Sequence, residues 1–314
     1  MTAQTTKSDA DVITIGAGPS ALAMAIYTTR EDLKTILLEK AAIGGLAATT
    51  DWIDNYPGFP EGISGMDLSE NLRKQAERFG ADIQLAEVSD IVKDGNTVVV
   101  KTKYDGDKRA KAVLIATGTE YKKLGIAGEA EYLSRGVHYC ATCDGAFYRG
   151  KKIVVVGGGN SAVQEALFLT KFATHVDLLV RGDTFRASDV LVHELSKNKQ
   201  ITVYMNTTTD EIVGDGKLVT HVLGTDKKSG KQIRFDVTGV FVFVGLKPNT
   251  LFLPKTIKTD EIGFVVTDSN LETSLKGVFA AGDVRSGATM QIATAVGEGA
   301  TAALRIREHI EHNN

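Results

Sequence analysis

Cysteine is nearly absent from the chain: its 314 residues contain two, Cys140 and Cys143. A disulfide-stapled extracellular scaffold uses more cysteines, set further apart. A reducing cytoplasm is therefore expected, with this pair doing chemistry there. Charge of one sign is lacking too. Lys+Arg is 36 against Asp+Glu 39, a net charge of −3, so no nucleic-acid partner is expected, because such binding relies on clustered positive charge. Apolar runs such as 153–156 and 240–244 fall far short of the roughly 20 residues that cross a bilayer, and no membrane span is expected. The polar opening stretch, 1–11, has neither a charged leader nor an apolar core, so no secretory signal is read there. The 6 histidines show no pairing at metal-ligand spacing, and no metal is expected. Proline numbers only 5, which argues against a linker protein.

Glycine, by contrast, is abundant at 32, and the length suits about two domains. An internal repeat organises the chain. Residues 12–15 form an apolar run that opens into Gly16-Ala17-Gly18-Pro19-Ser20-Ala21. Residues 153–156 open in the same way into Gly157-Gly158-Gly159-Asn160-Ser161-Ala162. Each turn is followed by a helix-compatible segment, 22–30 or 163–171, and then by a second apolar strand, 35–38 or 176–180. In such a turn the first glycine makes the bend, the second lets backbone N–H groups approach a pyrophosphate, and the small third residue allows close helix–strand packing. Two nucleotide sites follow.

The ends of the second strands separate the two ligands. Glu39 stands near the spacing of about 20 residues at which an acid bonds adenosine ribose hydroxyls, which suits FAD or NAD. The equivalent position of the second copy is Val180, followed by Arg181 and then Arg186. Arginines there attract a 2′-phosphate, so this half leans to NADPH, the alternative being that both are solvated loop charges. Two further strands, 113–116 and 278–281, end in Thr117-Gly118 and Gly282-Asp283, small residues where open α/β sheets bind ligands. Asp283 is read as an acceptor for a ribityl hydroxyl or as an ordinary turn cap. The distance of this last strand from Gly16 makes the first domain discontinuous, with the second inserted through connectors near 118–123 and 245–249. Hairpins are expected from 98–103 with 110–115 and from 217–223 with 232–237, and a helix over 293–309. Lys227 and Lys228 read as turn charges, and Met24, Met66 and Trp52 as packing groups.

Cys140-Ala141-Thr142-Cys143-Asp144 is the chemical centre. Two intervening residues let the sulfurs close a small ring and cycle between dithiol and disulfide. Asp144 could exchange a proton with a thiol. The competing reading is a zinc half-site with His138 as third ligand, disfavoured because structural zinc wants four ligands and no second pair exists.

In combination these segments resemble the low-molecular-weight flavoprotein thioredoxin reductases over nearly the whole chain. The likeness rests on Cys-Ala-Thr-Cys-Asp-Gly at 140–145, Phe147-Tyr148-Arg149, the turn at 157–162 with Glu165, Asn55-Tyr56-Pro57-Gly58, Ala116-Thr117-Gly118, Gly245-Leu246-Lys247-Pro248-Asn249 and Ala281-Gly282-Asp283-Val284. The resemblance implies an α/β protein of two Rossmann-like, three-layer ββα nucleotide-binding domains, the second inserted in the first. The FAD-binding domain would be 1–119 with 246–314, and the NAD(P)H-binding domain carrying the cysteines 120–245. It also implies a homodimer and thioredoxin or a similar protein as partner. Cys143 is then the thiol next to the flavin, Cys140 the one that attacks the partner disulfide, and Asp144 the acid–base group. FAD would rest on Gly16, Gly18, Pro19, Ser20, Ala21, Glu39, Lys40, Gly44, Gly45, Leu46, Asn55, Val88, Thr117, Gly118, Gly282, Asp283, Gln291 and Ile292. The nicotinamide dinucleotide would use Gly157, Gly159, Asn160, Ser161, Ala162, Glu165, Arg181 and Arg186.

The chain departs from the family pattern in places. Val180-Arg181-Gly182 stands where His-Arg-Arg is usual, which weakens NADPH selection and leaves NADH as an alternative. Leu46 replaces a glutamine, Met290 an arginine, and Ala146 an aromatic. Because nicotinamide and disulfide both belong to the inserted domain, a domain rotation between half-reactions is expected. Other readings keep the flavin and cysteines but use ferredoxin as donor, reverse the flow as a dithiol oxidase, or make the protein a redox sensor.

Overall fold

The computed structural model describes residues 8–50, 52, 53 and 55–313, the side chain of Asn313 excepted. Most of the polar opening stretch, residues 1–7, lies outside the described residues. In chain order the elements that position the sites are β1 (Ala10–Ile15), α1 (Pro19–Arg30), β2 (Thr35–Glu39), α2 (Gly45–Ala48), α3 (Gly65–Arg78), β3 (Asp82–Leu85), β4 (Val88–Asp94), β5 (Thr97–Thr102), β6 (Lys108–Ile115), β7 (Thr119–Tyr121), β8 (Val137–His138) and α4 (Ala141–Asp144). They continue with β9 (Lys152–Val156), α5 (Asn160–Leu169), β10 (His175–Val180), α6 (Asp189–Lys197), β11 (Ile201–Met205), β12 (Glu211–Gly214), β13 (Val219–Thr225), β14 (Gln232–Asp236), β15 (Gly239–Val242), β16 (Leu246–Pro248), β17 (Val278–Ala280) and α7 (Ile292–Asn313). No described helix is long and apolar enough to cross a membrane.

The chain divides into two compact units, Met1–Glu120 with Lys247–Asn314, and Tyr121–Leu246. The two passages between them, β7 and β16, pair as a two-stranded sheet.

In the first unit the sheet runs β3-β2-β1-β6-β5-β4, with β17 also paired to β6. β3, β2, β1, β6 and β17 are mutually parallel, while β5 folds back antiparallel on β6. Alternation along the strands sorts their side chains between two faces. Val12, Leu37, Leu114 and Phe279 pack under α1, α3 and α7, whereas Ile13, Ile15, Ile36 and Val113 pack on the other side with Ile91, Val98 and Val100. α7 begins with small residues for a packing reason: a Cβ on Gly299 would stand 2.1 Å from the carbonyl oxygen of Ser20 in α1.

The second unit is built in three layers. A parallel sheet, β11-β10-β9-β15-β8, carries helices on one face through Ile153, Val155, Val163, Ala166 and Leu178. Its other face, Val154, Val156, Leu179 and Val240, packs on the antiparallel sheet β12-β13-β14 through Ile212, Val222 and Phe235. Both expected hairpins form, with Val98 opposite Ala110 and Leu223 opposite Arg234. Of the three expected packing groups only Met24 is fully buried. Met66 is 70% and Trp52 43% exposed, Met66 because it lies on the outer side of the first turn of α3, opposite the buried Gly65 and Leu68.

Candidate active site

The glycine turn, Glu39, Thr117-Gly118 and Gly282-Asp283 of the first unit leave the carboxyl ends of its parallel strands, where such sheets bind ligands. Gly16 follows β1 with φ +101°, and a Cβ there would stand 2.5 Å from the Ala116 carbonyl oxygen, so the fold itself requires this glycine. Gly18 differs. Its backbone is extended, and an added Cβ would meet nothing within 4 Å. Nothing in the protein needs the missing side chain, and the space it leaves is room for a ligand. α1 then starts at Pro19 with no side-chain cap, so its first N–H groups are available to an anion. Ser20 and Ala21 are buried beneath that start.

Glu39 closes the turn. Its Oε2 accepts the Ala17 N–H at 2.8 Å and its Oε1 that of Ala41 at 2.9 Å, with Lys40 exposed between. The Gly44 N–H donates to the Ala17 carbonyl at 2.8 Å, bringing Gly45 and the exposed Leu46 beside the turn. Asn55 donates to the Gln291 amide oxygen at 3.1 Å, next to Ile292 at the head of α7. Thr117 and Asn249 exchange two hydrogen bonds across the ends of β6 and the returning chain, with Gly118 at φ +61° between them and β7. Val88 is the exception: its side chain is 8% exposed and sits in the core with Ile13 and Ile15.

Asp283 follows β17 and has no hydrogen-bond partner among the described residues. Burial, reinforced by the nearby Glu298 charge, pushes its carboxyl up to about 6. Sequence reasoning missed Glu298, which accepts the Gly282 N–H at 2.8 Å and pairs with Arg285 at 2.7 Å. An uncapped helix start, a glycine facing open space and a half-buried acceptor without a partner fit a dinucleotide bearing hydroxyl donors, as FAD does.

The second unit repeats this geometry with other closures. Gly157 has φ +147°, and its Cβ would stand 2.3 Å from the Phe243 carbonyl oxygen. A Cβ on Gly159 would meet nothing within 4 Å, and α5 begins uncapped at Asn160. Ser161 is exposed and Ala162 buried. Glu165 on α5 has no hydrogen-bond or ion-pair partner among the described residues, and burial raises its carboxyl above the usual range. In place of an acid, the loop after β10 braces the turn: the Arg186 N–H donates to the Gly158 carbonyl at 2.7 Å, and that of Ser188 to Asn160 Oδ1 at 2.8 Å. The Arg181 and Arg186 side chains are exposed. Lys227 joins them, with its Nζ 3.4 Å from the Arg181 carbonyl oxygen. Its own N–H bonds Asn206, whose N–H bonds Gly182, so the β13–β14 turn is tied to the end of β10. No local sequence signal marks Lys227, because its partners are distant in the chain. These features fit a dinucleotide carrying extra phosphate charge.

The cysteines leave the same carboxyl edge of the second sheet. β8 lies parallel to β15, and from its end Cys140 caps the single-turn α4, its Sγ accepting the Cys143 N–H at 3.2 Å. Cys140 and Cys143 are joined as a disulfide, and both are partly exposed. Asp144 Oδ2 lies 3.2 Å from His138 Nδ1, and His138 Nε2 lies 2.7 Å from the Tyr148 hydroxyl. Both ring nitrogens are therefore engaged within the protein. That removes His138 from the role of zinc ligand considered from sequence.

Comparison with known proteins bears on this geometry. Residues 10–299 match the model of the pyridine nucleotide-disulphide oxidoreductases. Thioredoxin reductase from Listeria innocua is 42% identical over 96% of this chain and 94% of that protein, and thioredoxin reductase from Bacillus subtilis is 40% identical over 96% and 95%. The crystal structure of thioredoxin reductase from Streptococcus pyogenes superposes with a TM-score of 0.92 at 39% identity, covering 96% of this chain and 98% of that one.

Proposed function

The chain belongs to the pyridine nucleotide-disulphide oxidoreductase family, and from that premise we propose that it is a thioredoxin-disulfide reductase. It would draw electrons from NADPH and pass them through FAD and the Cys140–Cys143 disulfide to thioredoxin or a similar protein disulfide. The observation that carries this reading is the common carboxyl edge of one parallel sheet, from which both the disulfide and the second glycine turn emerge.

The first turn, with Glu39, Asp283 and the head of α7, would hold FAD. The second, with Glu165, Arg181, Arg186 and Lys227, would hold NADPH, the three cations facing its 2′-phosphate. A bound flavin supplies two-electron transfer between a reduced nicotinamide and the disulfide. Two electrons and two protons convert Cys140–Cys143 to a dithiol, with Cys143 taken as the sulfur nearer the flavin. The Cys140 thiol then gives up its proton and its sulfur bonds one sulfur of the partner disulfide, whose other sulfur leaves with the bonding pair and takes a proton. Cys143 next loses its proton and displaces the bound partner sulfur, re-forming the disulfide. Asp144 exchanges the protons. A homodimer working in a reducing cytoplasm completes the proposal.

Anaerobic titration tests it. NADPH at micromolar concentration should bleach the flavin absorbance, oxidised thioredoxin should restore it, and Cys140→Ser should abolish turnover while flavin content stays unchanged. A flavin that neither NADPH nor NADH bleaches, or one that oxygen and a small dithiol cycle without nucleotide, overturns the reading.

A further inference from the structure

Asp144 does not stand alone beside the disulfide. His138 comes from β8, is only 8% exposed, and reaches Asp144 with one nitrogen and Tyr148 with the other. Its ring is fixed on the remaining sides, stacked on Phe241 at 5.2 Å between centroids and edge-on to Tyr148 at 5.4 Å. Tyr148 is fixed in turn, since a Cβ on Gly239 would stand 2.2 Å from its ring. Three polar side chains thus form a row within a buried layer.

The chemistry of the acceptors orders the protons along this row. An ionised carboxylate only accepts, so His138 Nδ1 carries the hydrogen that faces Asp144 Oδ2. In the neutral imidazole Nε2 then accepts, and the donor is the Tyr148 hydroxyl. Burial, with the Asp144 charge, holds that phenol well above its ordinary range, so it keeps its proton. Each link therefore has one direction, Tyr148 O–H to His138 and His138 N–H to Asp144.

We propose that His138, locked by Tyr148, is the positioning residue for Asp144: it occupies Oδ2 and leaves Oδ1 as the oxygen that exchanges a proton with the cysteines. This rests on the reading of Asp144 as the acid–base group. When a Cys thiol is deprotonated for exchange, its proton passes to Oδ1, and it leaves from Oδ1 to the departing partner sulfur. His138 keeps its own proton throughout. Among the described residues, Asp144 and Tyr148 face His138, and the Lys151 ammonium stands 5.5 Å from the Tyr148 ring centre.

The test compares His138→Phe, His138→Asn and Tyr148→Phe in the flavin-loaded enzyme, with Asp144→Asn as reference. Phenylalanine keeps the ring packing and removes both hydrogen bonds, whereas asparagine retains a donor near the place of Nδ1. His138→Phe should lower kcat with thioredoxin roughly tenfold or more, a fraction of the full general acid–base effect. Its KM should stay within about twofold, as expected when an interaction outside substrate binding is lost. The acid limb of the pH profile should move to higher pH, because a carboxylate without its N–H donor holds a proton more tightly. Flavin reduction by nucleotide should be unchanged. His138→Asn should recover most of the loss, and Tyr148→Phe should fall between. Thiolate absorbance of the chemically reduced protein, titrated against pH, gives a second readout that needs no thioredoxin, and His138→Phe should displace that curve.

A His138→Phe enzyme with unaltered kcat, pH profile and thiolate curve, alongside a crippled Asp144→Asn, overturns the proposal. A fully active Asp144→Asn overturns the acid–base reading beneath it instead. If His138→Phe does not fold, Tyr148→Phe decides, and a profile identical to that of the parent counts against the row.

Discussion

The two glycine-rich turns of this chain have the same backbone and opposite closures. In both, the first glycine is demanded by a positive φ and a carbonyl oxygen within 2.5 Å, while the third position of the motif, Gly18 or Gly159, faces open space. Around Gly16 the closure is an acid: Glu39 takes the Ala17 N–H, and a second carboxylate, Asp283, has no hydrogen-bond partner among the described residues. Around Gly157 the closure is the backbone of a basic loop, which seats Arg186 against Gly158 while Lys227 reaches over from another sheet. In the proposed reading one turn would serve two ligands because it would bind only what both share, the pyrophosphate. The strand ends would decide the rest, carboxylates for sugar hydroxyls and guanidinium groups for a further phosphate.

The comparison breaks most sharply at the two open glycines. Gly18→Val should yield colourless protein, and Gly159→Val should keep its flavin yet lose nucleotide reduction by about a thousandfold, some 4 kcal/mol. Thermal melts of both flavin-free variants should show only the modest loss of a weakened helix cap, because an added Cβ at either position meets nothing within 4 Å. Flavin absorbance and stopped-flow reduction read the split. A Gly159→Val enzyme reduced at the parental rate would separate the second turn from the nucleotide.

The acid side of the comparison predicts a pH effect of intermediate size. Asp283 sits at about 6 in the folded protein against an ordinary 3.8, raised first by burial and then by Glu298. A raised carboxyl stabilises the fold below the unfolded value and loses that contribution as pH rises through the folded one. Flavin-free protein should therefore lose up to about 3 kcal/mol between roughly pH 4 and 6 through this group. Asp283→Asn should flatten that window in denaturant titrations. Bound FAD, donating a hydroxyl to the carboxylate, should flatten it as well.

How much of this was legible in the sequence follows from the range of each signal. The turns were readable because strand, glycines and helix lie in one short stretch, residues 10–30 or 152–169, and their spacing is fixed by backbone geometry. The discontinuous first unit was inferred from the late strand ending in Gly282-Asp283, and β17 does pair with β6. Residues whose partners come from elsewhere left no pattern. The sequence offered His138 no role beyond a disfavoured zinc half-site, and only the packing of β8 against β15 shows what its two nitrogens face. Glu298 stands in no motif, and only the packing of α7 brings it to the Gly282 N–H. Val88 was named through the resemblance alone, and its side chain lies in the core, where the strand's own pattern carries no ligand signal.

The basic side yields the finest prediction, because it asks which charges replace the arginine that the chain lacks beside Arg181. Exposed cations contribute little to folding, so their substitution should leave thermal stability unchanged. Each contact to a phosphate is worth about 1.5 to 3 kcal/mol when charge-assisted, which is roughly tenfold or more in affinity. Arg181→Ala and Arg186→Ala should each raise the KM for NADPH about tenfold and leave that for NADH within twofold, since NADH has no 2′-phosphate to lose. Lys227→Ala should do the same to a smaller degree, roughly threefold, because a flexible ammonium offers a point charge where guanidinium offers a fork. The ratio of the two KM values is the measurement. Equal losses for both nucleotides would mean that these residues shape the loop, whereas a loss confined to NADPH would mean that they bind the phosphate. A silent Lys227→Ala would return that lysine to the role of a turn charge and leave the second closure with two cations.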